Sequence, residues 1–190
     1  MRRFPVKIIA VWIAVTAALA SAQTMPKPEE PRTMQQVLDR ALTNIEKEFV
    51  PAAEAMPEDK FNFAPTNGEF KGVRTYAQQI KHTAATTYEL AAVILQEKPP
   101  VEVGDETGPD SVKSKEQCLK YLKDSFAYMH KAIAVINEKN SVESIKSPWG
   151  QSTVTRLGLT TLVIGHCFDH YGQMAVYLRM NGIVPPASRM

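Results

Sequence analysis

His166 and His170 stand four residues apart in a C-terminal segment whose apolar spacing reads as one helix. Four residues advance a helix by about one turn and rotate it by only about 40°, so both imidazoles leave the same face within reach of one ion. Two neutral ring nitrogens are half of the donor set a divalent metal commonly takes from protein. Spacing alone does not separate such a pair from packed or solvated histidines; that turns on a third donor. The chain has four histidines, and His82 is the candidate for that donor. His130 has no ligating residue three or four positions on and reads as a border or surface residue. Gln173 and Tyr177 continue the face of His170 and could reach a coordinated water or a substrate, whereas Asp169 is turned about 100° away from His170 and is not assigned as a ligand. Gln78, Thr86 and Glu89 flank His82 at four and seven residues, and for these ordinary capping, packing or solvation is preferred.

Four segments have to position these side chains. Met34, Val37, Leu38, Ala41, Leu42, Ile45 and Phe49 follow helical spacing and predict a first helix that ends or bends near Pro51, with continuation to Met56 plausible. Residues 57–72 show no period and read as a connection holding Phe61, Phe63 and Phe70, which either pack over the helices or line a cavity mouth. A second helix begins near Val73 and stops before Pro99 and Pro100. After a polar connection over 97–113, Ser114 with Gln117 offers a capping box for a third helix running to Ile136. Residues 137–151 read as loop, and a fourth helix runs from Ser152 or Thr153 to about Asn181, where Gly182 suits a left-handed end. No stretch shows strand alternation. The predicted fold class is all-α, a four-helix bundle with long inter-helix loops, an architecture that builds metal and ligand sites from side chains on facing helices.

Periodicity works against His82. It lies about 200° from Ile80 on a helical wheel, off the apolar stripe, and by that measure alone it is exposed.

The N-terminus carries Arg2, Arg3 and Lys7 ahead of an uncharged apolar run, Ile8 to Leu19, followed by Ala20-Ser21-Ala22. That is the pattern of a secretory signal peptide over residues 1–22, and the run is too short to span a bilayer. The expectation is an exported protein, periplasmic or secreted after cleavage near Ala22, with no stable membrane anchor. Residues 23–33, with three prolines, read as an extended leader, and residues 34–190 as one domain. The whole chain carries a formal charge of +2; losing three basic residues brings it to −1, and nothing favours a nucleic-acid partner. A homodimer is left open. Export would allow Cys118 and Cys167 to pair if their Cα atoms come within about 7 Å; the other reading is two small buried thiols.

The chain resembles the DinB superfamily, the DinB/YfiT-like metalloenzymes. The likeness is carried by Glu54-Ala55-Met56-Pro57-Glu58-Asp59-Lys60-Phe61, by Tyr76-Ala77-Gln78-Gln79-Ile80-Lys81-His82, and most specifically by His166-Cys167-Phe168-Asp169-His170-Tyr171-Gly172-Gln173-Met174 running on through Tyr177-Leu178-Arg179 and Gly182 to Pro185-Pro186. The resemblance implies a four-helix bundle whose second helix gives one histidine and whose fourth gives two, so that His82, His166 and His170 hold a divalent ion. Many members place arginine after the last ligand; Tyr171 stands there, which puts that arginine's part in substrate binding in doubt.

Three imidazoles leave a coordination position open, the pattern of a catalytic metal. Zn, Ni and Fe all accept such a set. The expected function is an exported metal-dependent hydrolase or transferase acting on a small molecule. The alternative is a non-catalytic bundle that captures a metal or small ligand, since no general base is evident. A His-Glu-x-x-His peptidase motif is absent. Thiol transfer, used by some relatives, is disfavoured in an oxidising compartment where low-molecular-weight thiols are scarce.

Overall fold

The computed structural model describes residues 32–189, so the expected signal peptide over residues 1–22 and residues 23–31 of the expected leader lie outside the described residues. Four helices make the body: α1 (Met34–Ala55), α2 (Tyr76–Leu95), α3 (Lys115–Ala134) and α4 (Arg156–Met180). Two short strands, β1 (Ser144–Lys146) and β2 (Thr153–Thr155), pair antiparallel between α3 and α4, with Ile145 opposite Val154. This hairpin corrects the expectation of a plain loop and moves the start of α4 to Arg156, capped by Thr155. Strands of three residues are too short to show alternation in sequence.

Each helix start is set by local chemistry. Thr33 with Gln36, Thr75 with Gln78 and Ser114 with Gln117 form complete capping boxes, each satisfying amides that have no partner inside the helix. At α2 the capping goes further: the carbonyls of Phe63 and Phe61 accept from the Tyr76 and Ala77 amides at 2.8 and 2.9 Å. The preceding connection is thereby stitched to the helix, and α2 starts three residues later than Val73. Pro51 is held within α1, which runs on to Ala55. Gly182 adopts φ 73° after α4, as its position suggested.

The packing order decides which histidines can meet. α1 packs on α3 and α4, and α2 likewise packs on α3 and α4. Consecutive helices α1 and α2, and again α3 and α4, therefore sit on diagonals of the bundle, which is why long connections join them. Leu42, Ile45, Phe49, Ile80, Leu122, Phe126 and Leu178 fill the interior, with Phe49 edge-on to Phe126 at 6.2 Å. Phe61 joins this core and Phe63 stands edge-on to Tyr177, while Phe70 is exposed. Cys118 and Cys167 are free and both buried; burial pushes their thiols up, to about 11 and about 12. Among the described residues no helix is long and apolar enough to cross a membrane.

Candidate metal centre

Because α2 and α4 are neighbours, His82 meets His166 and His170. His166 Nε2 lies 3.1 Å from His82 Nε2 and 3.0 Å from His170 Nε2, and the three donor atoms lie within 4.8 Å of one another. Two imidazoles bound to one Zn²⁺ at about 2.0–2.1 Å place their nitrogens roughly 3.3 Å apart in a tetrahedron, close to these separations. The group could hold a metal ion.

His82 is only 9 % exposed, against the exposure its periodicity suggested. The reason is that α2 is covered on more than its apolar stripe. The connection between α2 and α3 lies against it at Lys81, where Gly108, at φ 78°, approaches so closely that a Cβ there would fall 2.6 Å from Lys81 Cβ. The same connection brings Glu106, whose carboxylate lies 3.7 Å from His82 Nδ1 and pairs with Arg74 at 2.6 Å.

The polar contacts around His170 fix its chemistry. Its Nδ1 lies 2.5 Å from Gln79 Oε1, Gln79 Nε2 donates to Gln173 Oε1 at 2.9 Å, and Gln173 Nε2 donates to Asp169 Oδ2 at 2.9 Å. Read in the only direction the amides allow, His170 carries its hydrogen on Nδ1 and turns the Nε2 lone pair toward the other histidines. Given that lone pair, no placement of ring hydrogens satisfies all three residues. Either one hydrogen on His166 Nε2 is shared between two acceptors, or lone pairs face each other at about 3 Å. In each case His166 Nδ1 is buried without a partner. A cation among the three Nε2 atoms removes the conflict, so the donor set fits a metal better than it fits itself.

Electrostatics agrees. Burial first, then the repulsion that two protonated neighbouring imidazoles would exert on each other, holds His166 down at about 4 and His170 at about 3, and burial with Arg74 lowers His82. The imidazoles are thus neutral, the form that ligates.

Gln79, 1 % exposed, was not singled out from sequence; the signal available was that a ligating histidine needs a partner for its second nitrogen on the facing helix. Gln78, adjacent to it, is spent on the α2 cap. Gln173 sits in the amide chain, and Tyr177 donates to the Arg74 carbonyl at 3.1 Å. Thr86 and Glu89 line, with His82, Val103, Asp105 and Glu106, a cavity of about 290 Å³. A larger one of about 570 Å³, bounded by Gln78, Lys81, Lys113 and Cys118 among others, touches none of the three histidines.

His130 is away from this group. Its two nitrogens are taken by Asp39 Oδ1 at 2.6 Å and Glu46 Oε2 at 3.1 Å, both on α1.

Comparison with known proteins adds the following. The DinB superfamily model matches residues 41–174. No protein of curated function matches. Among solved structures, a DinB-like protein from Bacillus cereus superposes with a TM-score of 0.63 at 14% identity, covering 81% of this chain and 96% of its own. A conserved protein from Enterococcus faecalis gives 0.60 at 18% identity over 78% and 96%, and a DinB-like protein from Bacillus subtilis 0.55 at 18% over 77% and 92%. At these identities the likeness is one of fold.

Proposed function

The chain belongs to the DinB superfamily, and from that premise we propose that it is an exported metal-dependent hydrolase or transferase for a small molecule, with His82, His166 and His170 as ligands. One observation carries the reading: His166 Nε2 lies 3.1 and 3.0 Å from the Nε2 atoms of His82 and His170, all three within 4.8 Å of one another, in tautomers that hydrogen bonding cannot reconcile. A divalent ion bound there supplies Lewis-acid chemistry, polarising a substrate oxygen or lowering the pKa of a coordinated water.

The chain's own residues supply position and exclusion. Gln79 holds the His170 ring by its Nδ1 hydrogen, and Gln173 and Asp169 hold Gln79 in turn. Burial of His82 and His170 keeps bulk water from their rings. The 290 Å³ cavity beside His82 suits a small substrate. Its lining carboxylates, Glu89, Asp105 and Glu106, favour a neutral or cationic one.

A second reading, metal capture without turnover, is favoured by the state of the nearby carboxylates. Glu106 is committed to Arg74 and Asp169 to Gln173, so neither is a free general base. The separating experiment is to load the protein with Zn²⁺, Ni²⁺ or Fe²⁺ in turn and assay activated esters and amides with and without an added low-molecular-weight thiol. Turnover lost in His166→Ala supports the enzyme, and a strict thiol requirement makes it a transferase. Tight metal binding with no turnover under any condition supports capture. Export is tested by the N-terminus of the protein recovered from its host, expected at Gln23.

A further inference from the structure

His82 turns Nε2 to His166, and its Nδ1 faces the connection between α2 and α3. That connection is pinned to α2 one residue before the histidine. A Cβ on Gly108 would fall 2.6 to 3.0 Å from Cβ, C and O of Lys81, and one on Gly104, at φ 70°, would meet the backbone of Gly108 and Pro109 at 2.6 Å. Any other residue at either position would push the connection off the helix. Lys81 Nζ donates to the Pro109 carbonyl at 3.1 Å. Asp105 closes the turn between the glycines: its carboxylate accepts from the Thr107 amide and hydroxyl at 2.7 and 2.8 Å, and its carbonyl from the Gly108 amide at 2.9 Å. The residue that this turn carries to the His82 ring is Glu106.

Glu106 would not stay there unaided. Its side chain is 85 % exposed, and fixing an exposed glutamate costs rotamer entropy. Arg74, from the connection between α1 and α2, holds it with two donors: Nε to the Glu106 carbonyl at 2.8 Å and Nη2 to its carboxylate at 2.6 Å. Arg74 is fixed in turn from α4, where the Tyr177 hydroxyl donates to its carbonyl. An exposed ion pair contributes little to stability, and both connections have other anchors, at the Tyr76 and Ala77 amides and at Lys81. What the Arg74 grip adds is a carboxylate 3.7 Å from His82 Nδ1. The charge and the backbone of Glu106 both attract hydrogen on that side of the ring.

We propose that Glu106 is the positioning residue of His82, held by Arg74, so that the ring hydrogen stays on Nδ1 and the Nε2 lone pair is turned to the metal. The inference rests on the reading of the three histidines as ligands and adds two residues to it. His170 is fixed in the same manner by Gln79, so each ligand helix presents a ring whose far nitrogen is tied to a residue outside that helix. A carboxylate facing Nδ1 also makes Nε2 the stronger donor. Arg74 separates positioning from charge. It is a cation that lowers the pKa of all three histidines, so by charge alone its removal would tighten the binding of a divalent ion. Acting through Glu106, its removal weakens that binding instead.

Zn²⁺ affinity of the full chain, read by competition with a chelator, tests it. Glu106→Ala, with unchanged circular dichroism, is expected to bind about 10- to 100-fold more weakly. Arg74→Ala should bind about tenfold more weakly, against the sign of its charge change, and Arg74→Lys should not restore affinity, because an ammonium cannot reproduce the fork that grips Glu106. Wild-type affinity in Glu106→Ala, or tighter binding in Arg74→Ala, overturns the proposal. A second measurement needs no metal. Nitrogen-15 NMR of the metal-free chain above pH 7 reads which ring nitrogen carries the hydrogen: Nδ1 of His82 in the wild type, and a mixture of both nitrogens in Glu106→Ala. A wild-type hydrogen on Nε2, or a tautomer indifferent to Glu106→Ala, also overturns it. A wild type that takes up no Zn²⁺ but shows this tautomer shift upholds the positioning role and refutes the ligand reading.

Discussion

His170 has both ring nitrogens engaged, and the partner at Nδ1 decides what Nε2 can do. Gln79→Ala removes that partner while leaving all three candidate ligands in place, so metal affinity should fall about 10- to 100-fold, read by competition with a chelator of known affinity. Gln79 shows what sequence reading misses at this scale: a buried amide beside a capping Gln78 carries no mark of its own until the facing helix is known. His82 was masked for a different reason, because a helix covered on several sides has no single stripe to measure against. His130 makes a separate prediction. Burial alone would lower its pKa, but the hydrogen bonds and charges of Asp39 and Glu46 outweigh it and raise the value above 6.5. The folded protein then holds this proton more tightly than the unfolded chain, so the stabilisation is fully present below about pH 6.5 and fades as pH rises through the raised folded value. With its partners partly exposed, the effect is at most about 1 kcal/mol. Urea titrations of wild type and His130→Gln should differ most at acid pH and converge above neutrality.

At the scale of elements, α2 is the part on which the site depends most. Its first three amides are satisfied by Phe63, Phe61 and Thr75, so the connection from α1 and the start of the histidine-bearing helix form one unit. Thr75→Ala should destabilise the fold by about 0.5–2 kcal/mol in thermal or urea denaturation, and Thr75→Ser should restore most of it. The existence of all four helices was legible from the recurrence of residues such as Leu38, Leu42, Ile45 and Phe49, because burying one face against neighbours imposes that period. The hairpin before α4 was not, since Ile145 pairs with Val154 only once α3 and α4 are set on a diagonal and the chain must turn between them. Arg156 then ties that turn to the end of α2 through the Ile94 carbonyl and Glu143, contacts that no local pattern announces.

For the whole molecule, the order in which the helices pack matters more than their number. Setting α2 beside α4 unites residues 84 positions apart, His82 and His166, and a ligand shared between helices must couple to folding. Adding the preferred metal at 100 times its dissociation constant should raise stability by about 2.7 kcal/mol, seen as a chelator-reversible rise in melting temperature. The central claim, that the three histidines are a metal site, is tested most directly by elemental mass spectrometry of the untagged protein purified without chelator, alongside His82→Ala and the His166→Ala/His170→Ala double variant. The account predicts about one equivalent of a divalent metal in the wild type and little in either variant. A wild type that holds none and takes up none on reconstitution, or a His82→Ala variant that retains the full complement, would contradict it.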